Sequence, residues 1–440
     1  MSVYTVKGPA SLRGEVVLPA SKSISNRLLI LSALCGSSRV PDNLSDSDDT
    51  RVLLSALRSD LAHVDIGAAG TAMRFLTAYL ATRPGVHVLT GSERMKKRPI
   101  GLLVDALRRL GASIEYLGEE GFPPLRIAGG GLSGGEISLP GNVSSQYVSA
   151  LMMIGPTLRG GLRLTLEGDV VSVPYIEMTL SLMRRFGADV CWDGRAVAVA
   201  EGAYDYRQET VEADWSAASY WYAMAALRPG ARVCLPGLLP PAGEGTPSSV
   251  QGDACGTYVA RHLGVFSSWE DWGAIALSFR PVLPNLKITT VTGEGAEDAP
   301  RLPADLPDGA LFYDFVNQPD LAQTYVVLCC LMGRMFHFTG LRSLRIKETD
   351  RIAALVAEAR KLGFCLEAVG DDCIRWVGAT CQPSSEPIET YKDHRMAMSF
   401  AVASLARESV RIADPGVVSK SYPRFWDDLR SMGFTVEEEG

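Results

Sequence analysis

The segment Asp105-Ala106-Leu107-Arg108-Arg109-Leu110-Gly111-Ala112-Ser113-Ile114 changes its hydrophobic period at a glycine. Before Gly111 the apolar residues fall at helical spacing, and after it they alternate. A glycine one step past a helix supplies the left-handed turn that ends it, so the segment predicts a helix feeding a strand. The signature returns in Leu182-Met183-Arg184-Arg185-Phe186-Gly187-Ala188-Asp189-Val190, and at Leu263-Gly264-Val265, Leu362-Gly363-Phe364 and Met432-Gly433-Phe434. Intervals of roughly 76, 77, 99 and 70 residues between these glycines suit repeated α/β modules and exceed the period of a solenoid.

Working outward, the long interval calls for an insertion. Pro236 to Ser249 and Pro281 to Asp308 are rich in Pro and Gly, the latter also in acidic residues, and both predict surface excursions. A sixth module is expected near Leu53 to Asp65. There the helical run Arg51 to Arg58 heads directly for Gly67 with no room for a hairpin, so this module reads as truncated.

The chain of 440 residues, 47% hydrophobic and 21% charged, is long enough for two or three domains. It has no run of about 20 apolar residues and no basic-then-apolar start, so neither a membrane span nor a signal peptide is read and a cytoplasmic location is expected. The nine cysteines form no CxxC pair and read mainly as small core hydrophobes. A net charge of −7 argues against general nucleic-acid binding, so an anionic ligand needs a local cationic site.

Such sites are suggested at helix starts. Lys22 and Arg27 stand in the first turns of a helix over Ser21 to Gly36, where the macrodipole opposes cations unless an anion is bound. Arg345, Lys347 and Arg351 surround the start of Ile352 to Leu362, and His394 and Arg395 precede another apolar run. Gly70-Thr71 and Ser144-Ser145-Gln146 open further helices with neutral anion-binding groups, although capping alone accounts for each. Ser45-Asp46-Ser47-Asp48-Asp49 reads as an acidic cap without a ligand role, Cys329-Cys330 as buried helix, and the region of Trp269 and Trp272 as packing or loop.

The runs Leu18 to Arg27, Ala69 to Arg74, Arg94 to Ile100, Arg345 to Arg351 and Asp393 to Met398 together resemble the 5-enolpyruvylshikimate-3-phosphate synthase family, in family order across nearly the whole chain. The resemblance implies a two-domain, inside-out α/β barrel-like architecture of repeated βαβαββ units. One domain would comprise 21–212, with one unit truncated, and the other 1–20 with 213–440; the active site would lie in the interdomain cleft. The implied reaction is transfer of the carboxyvinyl group of phosphoenolpyruvate to the 5-hydroxyl of 3-phosphoshikimate, with no cofactor and no metal; a monomer is expected.

Carried over residue by residue, the resemblance assigns Lys22, Ser23, Arg27, Ser144, Ser145, Gln146, Ser172, Tyr175, Asp320 and Lys347 to 3-phosphoshikimate. Lys22, Gly70, Arg98, Gln146, Arg351, Arg395 and Lys420 are assigned to phosphoenolpyruvate. Lys22, Asp320, Glu348 and His394 are the implied catalytic residues. Asp320 would accept the 5-hydroxyl proton, Glu348 would deliver and remove the proton at C3, and Lys22 would assist the departing phosphate. Without the resemblance, Asp320 reads first as an N-cap for Leu321 to Met332. Glyphosate sensitivity is also implied, with Gly70 leaving room for the inhibitor.

Ala68, Phe75 and Ser343 depart from common family residues. Two other readings were open. Enolpyruvyl transfer to a UDP-N-acetylhexosamine goes with a Lys-Asn pair and a loop cysteine, against which stand Lys22-Ser23 and the absence of any cysteine between Cys35 and Cys191. A non-catalytic scaffold is opposed by the joint presence of Lys22, Asp320, Glu348, His394, Arg395 and Lys420.

Overall fold

The computed structural model describes residues 2–59, 61–245, 247–270, 275–279 and 306–439. Trp272 and most of the Pro281-to-Asp308 excursion lie outside the described residues.

The module that the glycine pattern predicts is visible in full at 63–129. Strand His63–Asp65, helix Gly70–Thr82, strand Gly85–Thr90 and helix Gly101–Arg109 lead into the hairpin Ser113–Tyr116 and Leu125–Gly129. The first two strands are parallel, with Asp65 opposite Thr90, because a helix must return the chain to the same edge. The other pairs are antiparallel. The same βαβαββ order and four-stranded pairing recur at 135–199 and 311–376.

Two further sheets are completed by the N-terminal segment. Arg13–Glu15 pairs in parallel with Arg232–Leu235, and Val3–Lys7 lies between Val410–Ala413 and Thr435–Glu439. The chain accordingly separates into two compact units, Met1–Pro19 with Ala213–Gly440, and Ala20–Glu212. In the latter, helices Lys22–Leu34 and Asp48–Arg58 form the shortened module: the next strand, His63–Asp65, already belongs to its neighbour.

Hydrophobic pattern explains why helices occupy the interior. In helix Gly70–Thr82 every residue from Gly70 to Ala81 is buried, and in Trp215–Ala226 only Ser216 is not. A helix apolar on all sides belongs in a core, whereas the strands alternate, with Leu125 and Ile127 buried and Arg126 and Ala128 exposed. The sheet at 63–129 thus covers helices with one face and meets solvent with the other.

All five predicted cap glycines have positive φ: 99°, 85°, 84°, 94° and 87° at Gly111, Gly187, Gly264, Gly363 and Gly433. Each donates its N–H to the carbonyl three residues earlier, which is always an arginine: Arg108, Arg184, Arg261, Arg360 and Arg430. Three of these guanidinium groups reach the following strand, bonding the carbonyls of Ile114, Val190 and Val436 at 2.7, 3.2 and 3.4 Å. Cations favour helix C-termini, so one arginine both answers the dipole and pins the strand. Sequence reading caught the glycine and missed this arginine.

Other expectations need correction. Of the cysteines, Cys329, Cys330 and Cys373 are buried, Cys191 is exposed and the remainder are half-buried, so the core reading holds for only part of the set. The packing reading holds for Trp269, which ends a strand and lies edge-on against Trp215 at 6.2 Å. The described residues of the Pro236-to-Ser249 segment are irregular, with turns at 236–237 and 242–243, but Leu238 is buried within it. Among the described residues no helix is long and apolar enough to cross a membrane.

Candidate active site

In the unit Ala20–Glu212 the assigned residues collect at helix N-termini. Lys22 opens helix Lys22–Leu34, and its ammonium lies 3.8 Å from Asp49, a buried carboxylate in the first turn of Asp48–Arg58. Arg27 is 2% exposed. Its guanidinium donates to Thr179 Oγ1 at 2.7 Å, Ser149 Oγ at 3.0 Å and the carbonyls of Ser23 and Tyr175 at 3.0 and 3.4 Å. The rings of Phe75 and Tyr175 lie 5.5 and 5.9 Å from it. Burial without a balancing carboxylate lowers the Arg27 pKa to about 10.

The residues that the sequence assigns to phosphoenolpyruvate in this unit interlock with their neighbours. Gln146 donates to Thr71 Oγ1 at 3.2 Å, and Tyr147 donates to the Pro99 carbonyl at 2.5 Å, fixing the chain next to Arg98. A Cβ on Gly70 would come 2.6 Å from Arg98 Nη1, so the absence of a side chain there lets the guanidinium lie across the helix start. Ser144 caps Ser145–Ile154, accepting from the Gln146 N–H at 3.4 Å. Ser172 precedes Val173–Arg185 in a left-handed conformation, φ 57° and ψ 35°, which a non-glycine residue adopts at a cost.

In the unit Met1–Pro19 with Ala213–Gly440, charge balances charge. Arg351, 1% exposed, donates to Asp393 at 2.7 Å, to Asp320 at 3.0 Å and to Glu348 at 3.0 Å. Arg395 meets the second Asp320 oxygen at 2.9 Å, Lys420 meets Glu348 at 2.6 Å, and Lys347 stands 3.8 Å from Asp320. Burial favours a neutral Asp320, but Arg395, Lys347 and Arg351 outweigh it and hold the carboxyl well below its ordinary range. Burial likewise opposes the Arg351 charge, yet Asp393, Glu348 and Asp320 together raise its pKa above the usual value. For Lys347 the Asp320 charge works upward, and burial with Arg351 and Arg395 works downward and prevails. His394 is buried with Nδ1 3.6 Å from Asp393.

The N-cap reading of Asp320 is overturned. The following helix starts at Ala322 with Leu321 as its cap and no side-chain cap bond, and the Asp320 carboxylate turns to Arg351 and Arg395 instead. Conversely, Asp49 is more than a cap, since it faces Lys22. Asp393 both caps His394–Ala401, accepting from Arg395 N–H at 2.9 Å, and binds Arg351. Sequence offered the cap half of the Asp49 role and neither half of the Asp393 role, because the partner charges lie 27 and 42 positions away. Phe75, noted as a departure, provides a ring face for Arg27.

The sequence matches the family described as EPSP synthase (3-phosphoshikimate 1-carboxyvinyltransferase) over residues 6–61, 59–271 and 310–429. A Bacteroides fragilis protein named 3-phosphoshikimate 1-carboxyvinyltransferase is 49% identical over 436 residues, covering 99% of this chain and 98% of its own. One of the same name from Sulfurovum sp. is 36% identical over 462 residues, covering 98% and 99%. In fold, the chain is similar to the solved EPSP synthase of Acinetobacter baumannii, with a TM-score of 0.74 at 21% identity over the whole of both chains.

Proposed function

The chain belongs to the EPSP synthase family and transfers the carboxyvinyl group of phosphoenolpyruvate to 3-phosphoshikimate in aromatic amino-acid biosynthesis, and we propose that the charged groups described above carry out that transfer. The observation that carries the residue assignment is the pairing of Arg351, Arg395, Lys347 and Lys420 with Asp320 and Glu348. A carboxylate so heavily paired is a poor base. Phosphoenolpyruvate brings a carboxylate and a phosphate that compete for Arg351, Arg395 and Lys420, and 3-phosphoshikimate competes for Lys347. As these cations turn to substrate, the Asp320 pKa rises toward the range useful for proton abstraction.

Asp320 then takes the 5-hydroxyl proton as the oxygen attacks C2, while Glu348, beside Lys420, supplies the proton that makes C3 a methyl group. In the second half Glu348 takes a proton back from C3 and phosphate departs with help from Lys22, restoring the double bond. His394 and Arg395 contact the intermediate. Ser23, Arg27, Ser144, Ser145, Gln146, Ser172 and Tyr175 hold 3-phosphoshikimate, and Gly70, Arg98 and Gln146 help to hold the donor. The strained Ser172 backbone and the close approach of the Arg98 guanidinium to Gly70 support those two assignments. We further infer a cytoplasmic monomer.

Incubation with both substrates, following phosphate and enolpyruvyl product together, tests the proposal. Equal formation of the two products supports it; phosphate release without enolpyruvyl product counts against the residue roles.

A further inference from the structure

Behind Arg395 lies a buried carboxyl that the transfer chemistry leaves unused. Asp253 is 6% exposed in the turn Gly252–Cys255. That turn is clamped to the start of helix Trp215–Ala226, because the Gln251 side chain accepts from Trp215 N–H at 3.1 Å and donates to the Ala213 carbonyl at 2.8 Å. Ser216 Oγ donates to Asp253 Oδ2 in a short contact and accepts from Arg395 Nη2 at 3.4 Å. A hydroxyl has one proton to give, so the order Arg395 to Ser216 to Asp253 uses each group in a distinct sense. The same Arg395 nitrogen holds Asp320 Oδ2 at 2.9 Å, while Nη1 holds the Asp320 carbonyl at 3.2 Å.

We propose that Asp253 is a positioning residue for carboxyvinyl transfer, acting through Ser216 to aim the Arg395 guanidinium and to set how strongly it draws the donor anion. The proposal rests on the assignment of Arg395 to phosphoenolpyruvate.

Burial, reinforced by the negative charge of Asp320, raises the Asp253 pKa to about 7; Ser216 and Arg395 work against the shift, and Asp214 adds to it. The other titratable groups facing it are Cys255, Tyr313 and Tyr325, whose thiol and phenols burial pushes far up, so they stay neutral near pH 7. The sign follows. Below its pKa Asp253 is neutral and leaves the Arg395 charge to the substrate; above it, the anion competes through Ser216 and phosphoenolpyruvate is held less tightly.

The test measures KM for phosphoenolpyruvate from pH 6 to 8.5 in wild type, Asp253→Asn, Ser216→Ala and Arg395→Lys, at saturating 3-phosphoshikimate. The phosphate of the substrate also titrates in this window, but equally for every protein, so ratios between variants isolate the enzyme. The wild-type KM should rise relative to that of Asp253→Asn by roughly three- to tenfold across the range, the scale of one typical net hydrogen bond. Ser216→Ala should raise KM at pH 6 by a similar factor with a smaller change in kcat. A ratio independent of pH, or Ser216→Ala with the wild-type KM, overturns the proposal while leaving the donor assignment intact if Arg395→Lys raises KM. Should Arg395→Lys also leave KM unchanged, the assignment of Arg395 fails and the proposal falls with it.

Discussion

Arg27 and Arg351 are both buried arginines near helix starts, and their surroundings are opposite in kind. Neutral oxygens and aromatic rings hold Arg27, whereas three carboxylates hold Arg351. One unit therefore presents a charge that its own structure leaves uncompensated. The other presents cations already paired with Asp320 and Glu348. Under the proposed assignments, the first arrangement favours initial capture of an anion and the second couples anion binding to release of a base.

The largest effect should come from the competing carboxylate. Asp320→Ala should lower turnover by on the order of 10²- to 10⁴-fold, the usual contribution of a positioned acid or base. It should also tighten phosphoenolpyruvate binding, because Arg351 and Arg395 lose a competitor, and calorimetric titration alongside steady-state kinetics reads both. Weaker binding would break the contrast between the two units.

Stability should separate the two arginines. Arg351→Met strips the partner from buried carboxylates and should cost about 3–5 kcal/mol in urea unfolding. Arg27→Met should cost about 1–2 kcal/mol, because the oxygens left behind can satisfy one another. Ser149 Oγ and Thr179 Oγ1 already stand 2.8 Å apart. Equal losses would erase the distinction.

Acid should act on only one side. Asp320 has a folded pKa depressed below its unfolded value, so the unfolded chain binds more protons in that interval and stability rises with pH there. Its contribution is present above about pH 4 and is lost as pH falls toward the folded pKa. The stability difference between wild type and Asp320→Asn should therefore shrink from pH 6 to pH 3, while that between wild type and Arg27→Met stays level; urea midpoints at matched ionic strength check this.

The smallest effect concerns Gly70→Ala. The new methyl group meets the far end of Arg98, which can swing aside. A few-fold rise in KM for phosphoenolpyruvate is expected, about 1 kcal/mol, with a larger rise in the glyphosate inhibition constant. Identical inhibition of both proteins would show that Arg98 absorbs the methyl group without disturbing the donor site.

The repeated fold was legible because its signals are local: a period change and a glycine within a dozen residues of each other. The shortened module was legible for the same reason, since too few residues separate Arg58 from His63 for a hairpin. Cations at helix starts were conspicuous because they oppose the dipole. The ion-pair roles of Asp49 and Asp393, and Asp253 altogether, escaped notice because an acidic residue near a helix start already has a sufficient local explanation, while its second partner is brought in from far along the chain. The expected cap at Asp320 failed for the complementary reason, as two arginines outbid the backbone N–H groups for its carboxylate.

The strand Val3–Lys7, held between Val410–Ala413 and Thr435–Glu439, gives protein synthesis a particular order of events. It is synthesised long before either neighbour. Meanwhile residues 63–199 emerge with every strand of their two sheets in hand and can fold during translation. The earlier strand must wait, unpaired, for both neighbours, and removal of Thr435–Glu439 would leave it with an open edge. Completion of that sheet thus waits on the synthesis of residues more than 400 positions further along the chain.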